Sequence, residues 1–364
     1  MNLEVLLSHY FQTRSKSHLK RYGDVLQTIE IVLNPLLKEL KRRDKRLRFE
    51  RMSPNAFYRV RQRNVLEVFL VFKKFDSTKL SFVDVDSHQC AAFVSAKLKK
   101  VERCWMDLMV GGKKQGFFLS SEKLREYLCA CLKDLSKKRS NDSVSNIWFD
   151  FTNNNEDGLV LNICLNDETI FVHLIPTLYF KDIWPDCASL WKTVVFRWPE
   201  DETRMKIINA GIHLTCEHVK SSLEHSSLLW RISFLSGEKI LLNSTNVGCR
   251  NQCLQIAKTI LEDYLSYPCG LTPYHLEIMI LHLNTMITNP SLWNKENLSA
   301  RFLDFLSFFQ KSASSGSCQH FFVPSLQLFD GVPLQSIASR LREILNSPEN
   351  FFSTFYGKMS TKGF

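Results

Sequence analysis

The sequence predicts an α+β chain, with a mixed sheet in its front half and a helical lobe behind it. Three observations carry this. Apolar residues recur at helical spacing from Leu3 to Leu40, branched and aromatic runs fill short segments between about residues 63 and 180, and the helical period returns from about residue 203.

Taken in order, Leu3, Leu6, Leu7 and Tyr10, then Tyr22, Val25, Leu26, Ile29, Leu33, Leu36, Leu37 and Leu40, describe one long helix or two in series. Pro35 lacks an amide hydrogen and is expected to kink or interrupt it. The following KRRDKRLRFERM is too charged for a core, whereas RNVLEVFLVFKKF and KLSFVDVDS predict two strands. Residues 117–138 combine a Ser-Ser start, Glu122 in the first turn and a lysine-rich end, the marks of a helix capped at both ends. Strands are expected at IWFDFT, GLVLNICL and TIFVHLIPTLYF. Helices follow near 203–213, 249–266, 272–287, 295–311 and 334–346, with SASSGS at 312–317 as a flexible loop. Trp230, Phe234, Leu276, Phe302, Phe305, Leu306 and Phe322 are expected to share one core. The domain boundaries predicted are 1–200 for the sheet lobe with its N-terminal helix, 201–350 for the helical lobe and 351–364 for a tail.

Composition narrows the function classes. The 364 residues are 45% apolar, enough for a substantial core. No run approaches the roughly eighteen apolar residues of a membrane span, and Glu4 and His9 break the opening MNLEVLLSHYF, so neither membrane insertion nor a secretory signal is expected. Eleven cysteines without a compact framework fit free thiols in a reducing compartment, so cytoplasm, nucleus or both is the expected location. The net charge of +10 is uneven: the first 140 residues hold thirty Lys/Arg against fifteen Asp/Glu, the rest seventeen against twenty-two. Lys41, Arg42, Arg43, Lys45, Arg46, Arg48 and Arg51, with Arg59, Arg61 and Arg63 nearby, are therefore candidates for polyanion binding.

Five segments, DIWP (182–185), LWRISFLSGEKILL (229–242), GCRNQCLQIAKTIL (248–261), LTPYHLEIMILH (271–282) and HFFVPSLQLFDGVP (320–333), occur in the order found in the male-abnormal-twenty-one (Mab-twenty-one) family, which the chain resembles. The resemblance spans about residues 20–350 and is strongest behind residue 180. It implies a nucleotidyltransferase fold with a long spine helix, a mixed sheet and a C-terminal helical lobe.

The resemblance also implies where catalytic groups belong. Active relatives, the cyclic GMP-AMP synthase type among them, use a Gly-Ser pair, an acid-x-acid pair on the next strand and a third acid on a later strand. These positions fall on Pro54-Asn55, on Glu67 and Phe69, and on His173. Strand alternation puts Glu67 and Phe69 on one face, and a phenyl ring supplies no oxygen to magnesium. Asp84 and Asp86, also alternating, are the alternative source of an acidic pair. Cys249 and Cys253 with His275 or His282 could form a tetrahedral metal site, but the loose spacing favours core thiols, and no metal site is expected. The expectation is thus a non-catalytic binding or regulatory module, not an enzyme, for an unidentified protein partner, a nucleotide or nucleic acid, acting in development and needing no cofactor. The alternative is an active synthase-like receptor that uses magnesium to make a cyclic dinucleotide on sensing nucleic acid.

Overall fold

A computed structural model describes residues 2–53, 55–73, 80–84, 92–99, 103–112, 114, 116–139, 148–154, 158–165, 168–193, 197–217, 226–244, 248–265, 270–329 and 331–356. The opening helical pattern becomes α1 (Leu3–Tyr10) and α2 (Lys16–Arg43), joined by a π-helical turn at Phe11–Ser15. The Asn2 side chain caps α1 by accepting from the Glu4 amide at 3.1 Å. α2 continues through Pro35 without the expected interruption.

The strands and helices that follow are β1 (Tyr58–Gln62), β2 (Val65–Val71), β3 (Leu80–Asp84), β4 (Phe93–Leu98), β5 (Met109–Gly112), β6 (Gly116–Leu119), α3 (Ser121–Arg139), β7 (Trp148–Asn154), β8 (Gly158–Leu165) and β9 (Glu168–Phe180). Next come α4 (Leu190–Thr193), α5 (Asp201–Ala210), β10 (Ile212–Thr215), β11 (Leu229–Ser233), α6 (Leu235–Ser244), α7 (Arg250–Asp263), α8 (Pro273–Met286), α9 (Leu298–Ser315), α10 (Gln335–Asn346) and α11 (Pro348–Tyr356).

Two compact units interleave along the chain, one of residues 26–187 and 208–237, the other of 1–25, 188–207 and 238 onward. The expected division at residue 200 is therefore corrected: the first helical turns and α4 go with the helical unit, and β10 and β11 go with the sheet. In the sheet unit the strand order is β1-β2-β9-β10-β11-β4-β6-β5, with β3 on β4 and the β7–β8 hairpin on β9. β2 and β9 run parallel, while β9, β10, β11 and β4 pair antiparallel in sequence.

Three local boundaries move for identifiable reasons. Residues 116–119 are strand β6, and α3 starts only at Ser121, where the Ser120 hydroxyl accepts from the Lys123 amide at 3.2 Å. The helix expected over 203–213 stops at Ala210, because Gly211 takes φ +68° and turns the chain into β10. The loop expected at 312–317 is mostly helix, since α9 runs to Ser315 and ends on left-handed Gly316.

In the helical unit Phe302, Phe305, Leu306 and Phe309 recur at one-turn spacing on α9 and are buried among residues of α1, α7, α8 and α10. The expected tail is also partly structured. Phe352 of α11 is buried, with its ring 5.3 Å from that of Tyr10 in edge-to-face contact. The single expected core is corrected: Trp230 and Phe234 belong to the sheet unit, Trp230 donating to the Leu119 carbonyl at 2.9 Å and Phe234 packing on Trp184.

A charged cluster ties the start of α2 to the end of α7. His18 lies 3.2 Å from the Asp263 carboxylate and 3.1 Å from that of Glu262, while Tyr22 donates to Glu262 at 2.7 Å. The hydrogen bonds to Asp263 and Glu262 outweigh burial and push the His18 pKa up to about 9. A raised native pKa stabilises below the unfolded value near 6.5 and loses that contribution as pH rises through about 9. Allowing for solvent screening, chemical denaturation of the wild type should lose about 1–2 kcal/mol between pH 6.5 and 9 relative to His18→Gln. Parallel pH profiles of the two proteins would contradict this.

Candidate functional site

Alternation along β2 puts Leu66, Val68 and Leu70 on one face and Glu67, Phe69 and Val71 on the other. The parallel register with β9 sets Glu67 beside His173, Phe69 beside Ile175 and Val71 beside Thr177. The next pairings extend this face through Thr177↔Thr215 and Tyr179↔His213, then Thr215↔Arg231 and His213↔Ser233. The structure thus brings Glu67, Phe69 and His173 together as the sequence implied. Asn55 is exposed near them, with its amide donating to the Ser53 hydroxyl, and Pro54 lies outside the described residues.

The face is a charged network around an apolar floor. Arg61 Nε lies 2.6 Å from Glu67 Oε1, and the Arg59 guanidinium sits 5.3 Å from the centre of the Phe69 ring. Arg231 pairs with Glu217 at 2.7 Å, and the Thr215 hydroxyl donates to the same carboxylate at 3.1 Å. Burial alone would raise the Glu217 pKa, but Arg231 and Arg59 together hold it below the ordinary value. Phe69, Ile175 and Leu235 form the floor, with Phe57 packed against it. His213 stacks on Tyr179 at 4.8 Å and meets Phe57 edge-on, and its Nδ1 has no hydrogen-bond partner among the described residues. Burial, assisted by Arg59, lowers its pKa to about 3, so this imidazole is neutral.

A notch of about 110 Å³ opens between Arg61, Glu67, Arg125, His173, Cys216 and Glu217. Its volume is well under the roughly 300 Å³ at which pockets for whole ligands begin. It has room for a small anionic group, while Phe69, Ile175, Thr177, His213 and Thr215 of the same face are buried. Cys216 is closed to chemistry there, since burial pushes its thiol up to about 12 and it donates to the Ser121 carbonyl.

The basic run is more tied down than its sequence suggests. Arg42 pairs with Glu39, Arg43 with Asp134 and Arg63 with Glu168. Arg46 is a structural node, bound to Asp44 at 2.7 Å and Asp107 at 2.6 Å and lying over the Trp105 ring. Lys41, Lys45 and Arg51 are exposed, and Arg48 is half-buried. Arg59 and Arg61 belong to the sheet face described above.

Other candidates separate. Asp84 ends β3, which pairs with β4, whereas Glu67 lies on β2, which pairs with β1 and β9. Asp86 lies outside the described residues. Cys249 and Cys253 are buried, while Nε2 of His275 is bound to the Leu328 carbonyl and that of His282 to the Gln319 carbonyl. Among the described residues, no three His, Cys, Asp or Glu side chains converge as a metal site. A magnesium pair does not fit the side chains around Glu67: Phe69 and His173 beside it offer no carboxylate, Arg61 already pairs with Glu67, and Glu217 is paired with Arg231.

Arg125, Arg231, Glu217 and His213 were not selected from the sequence. Arg231 lies inside the quoted segment LWRISFLSGEKILL, but its role needs the β10–β11 pairing. Among the described residues, no helix is long and apolar enough to cross a membrane.

Comparison with known proteins bears on this face. Residues 64–244 match the Mab-21 protein nucleotidyltransferase domain, and residues 249–346 match the Mab-21 protein HhH/H2TH-like domain. The chain is similar to cyclic GMP-AMP synthase of Mus musculus, 24% identical over 340 residues, covering 86% of this chain and 63% of the relative. It thus spans less than two thirds of that relative's length. These findings overturn the expectation that the chain is not an enzyme: the matched domain and the relative both point to a nucleotidyltransferase, and substitutions at three positions do not outweigh them. With both of its domains matched in order, the chain belongs to the Mab-21 family, a nucleotidyltransferase-fold family.

Proposed function

We propose that the face built by β2, β9, β10 and β11 binds a nucleoside triphosphate, its phosphates held by Arg59, Arg61, Arg125 and Arg231 and its base laid against the half-buried ring of Phe57. The observation that carries this reading is the charge at the notch: Arg61 and Arg125 line it with Glu67 and Glu217, while Arg59 lies over Phe69 and Arg231 pairs with Glu217. Guanidinium groups bond phosphate oxygens in pairs, and aromatic rings offer the base a stacking surface. The nucleotidyltransferase family makes a nucleotide the natural substrate class, and the mouse relative's name points the same way. Free cysteines such as Cys131 and Cys164 suit a reducing compartment, so we place this activity in the cytoplasm or nucleus.

Calorimetric titration of ATP and GTP into the full chain tests the reading. Arg125→Ala and Arg231→Ala should each weaken binding by about tenfold. Arg42→Ala, on the exposed side of α2 and paired with Glu39, should leave it unchanged. Equal effects at all three positions, or none at Arg125 and Arg231, would remove this face as the binding site.

A further inference from the structure

We infer that this face binds nucleotide phosphates without a divalent cation, the Arg61 guanidinium standing on the Glu67 carboxylate in the place of a metal ion. The inference rests on the nucleotide reading above and deepens it.

The geometry makes the argument. Glu67 is largely buried, with 10% of its side chain exposed, and its Oε1 is 2.6 Å from Arg61 Nε. A cation therefore already compensates this carboxylate, and it is one the chain carries itself. Arg61 is 47% exposed and lines the notch, and Nε is only one of the guanidinium's five N–H donors. The side chain can thus hold Glu67 through one edge and offer another to a phosphate.

The positions around Glu67 complete the case. A hard divalent ion asks for about six oxygen ligands, usually including more than one carboxylate. Next to Glu67, the same face presents His173 and the hydrocarbon of Phe69 and Ile175, packed with Leu235, and the other carboxylate of the notch, Glu217, is already paired with Arg231. Arg59 lies over Phe69, so a second guanidinium stands where a second cation would be required. Two guanidinium groups supply the positive charge that triphosphate recognition needs, with directional bonds in addition.

This arrangement reverses the sign of one substitution. Where Glu67 is a metal ligand, removing its charge weakens nucleotide binding. Where Glu67 competes with phosphate for Arg61, removing its charge frees the guanidinium and tightens binding. The experiment titrates ATP into the full-length wild type, Glu67→Gln and Arg61→Ala, each with magnesium and with EDTA. Wild-type affinity should agree within about twofold between the two conditions. Glu67→Gln should bind about threefold to tenfold more tightly, and Arg61→Ala about tenfold more weakly, in EDTA. Arg61 is at the surface, so its variant keeps the test available if Glu67→Gln fails to fold. Wild-type binding seen only with magnesium, or weakened in Glu67→Gln, overturns the inference while leaving the nucleotide reading in place. Absence of ATP binding in both conditions overturns the nucleotide reading and this inference together.

Discussion

Phe305→Ala is expected to destabilise the helical unit by about 3–5 kcal/mol, read as a lowered midpoint in chemical denaturation. Phe305 is fully buried, and on α9 it sits one turn from Phe302 and Phe309, inside a cluster contributed by α1, α7, α8 and α10. Removing the ring discards the transfer free energy of an aromatic side chain and leaves a hole that several helices at once would have to collapse to fill. Phe305→Leu keeps most of the volume and should cost far less. Tyr356, 42% exposed at the end of α11, provides the contrast: Tyr356→Ala should fall within about 1 kcal/mol of wild type. A Phe305→Ala protein as stable as wild type would mean that α9 does not carry the core.

Gly211→Ala should cost the sheet unit about 3 kcal/mol or more, for two reasons that add. Its φ of +68° is a left-handed conformation that costs an L side chain roughly 1–2 kcal/mol. A Cβ would also press on the Phe180 carbonyl oxygen and meet Asp182 N and Lys181 Cα at 3.0 Å, all backbone of the adjoining turn. Gly316 separates the two terms, because its φ is +66° and a Cβ there meets open space. Gly316→Ala should therefore show the conformational cost alone, about 1 kcal/mol. Equal losses at the two glycines, measured by thermal unfolding, would show that the contact at Gly211 relaxes freely. The position also bears on the proposed site, since Gly211 turns the chain into β10 and so places His213 and Thr215 on the face proposed to bind nucleotide.

The same turn shows where sequence reading reached its limit. α2, β2, β9 and the helices around Phe302 and Phe305 are long enough for their period to be visible, and each is where the sequence puts it. β10 has four residues, too few to display alternation, and Ile207 and Ile208 extend the preceding helical spacing up to Gly211. The expected helix over 203–213 therefore takes in the first residues of β10, and Thr215 and Glu217 beyond it show no local signal. β1 reads as a charged segment because Arg59 and Arg61 alternate with Tyr58 and Val60 at a sheet edge, where burial imposes little pattern.

The site was half legible for a similar reason. The resemblance places Glu67, Phe69 and His173 on two recognisable strands, and the parallel register sets these residues side by side. Arg231 and Arg125 reach the face from β11 and α3, far along the chain, and their approach depends on sheet order, which no local pattern encodes. The basic run between Lys41 and Arg51 misled in the opposite direction. Its charges are conspicuous in sequence, whereas the carboxylates that bind Arg43 and Arg46 come from Asp134 and Asp107, more than fifty residues away. Substituted positions do not by themselves make the chain inactive, since residues 64–244 match the nucleotidyltransferase domain.

Hydrogen exchange of the full chain with and without saturating ATP tests the central claim most directly, because it reports where the ligand sits. Nucleotide held on the proposed face should slow exchange in 58–71, 171–177 and 212–217, the backbone of β1, β2, the middle of β9 and β10. Protection confined to 41–51, with those strands unchanged, would place the ligand on the exposed basic run and contradict the account.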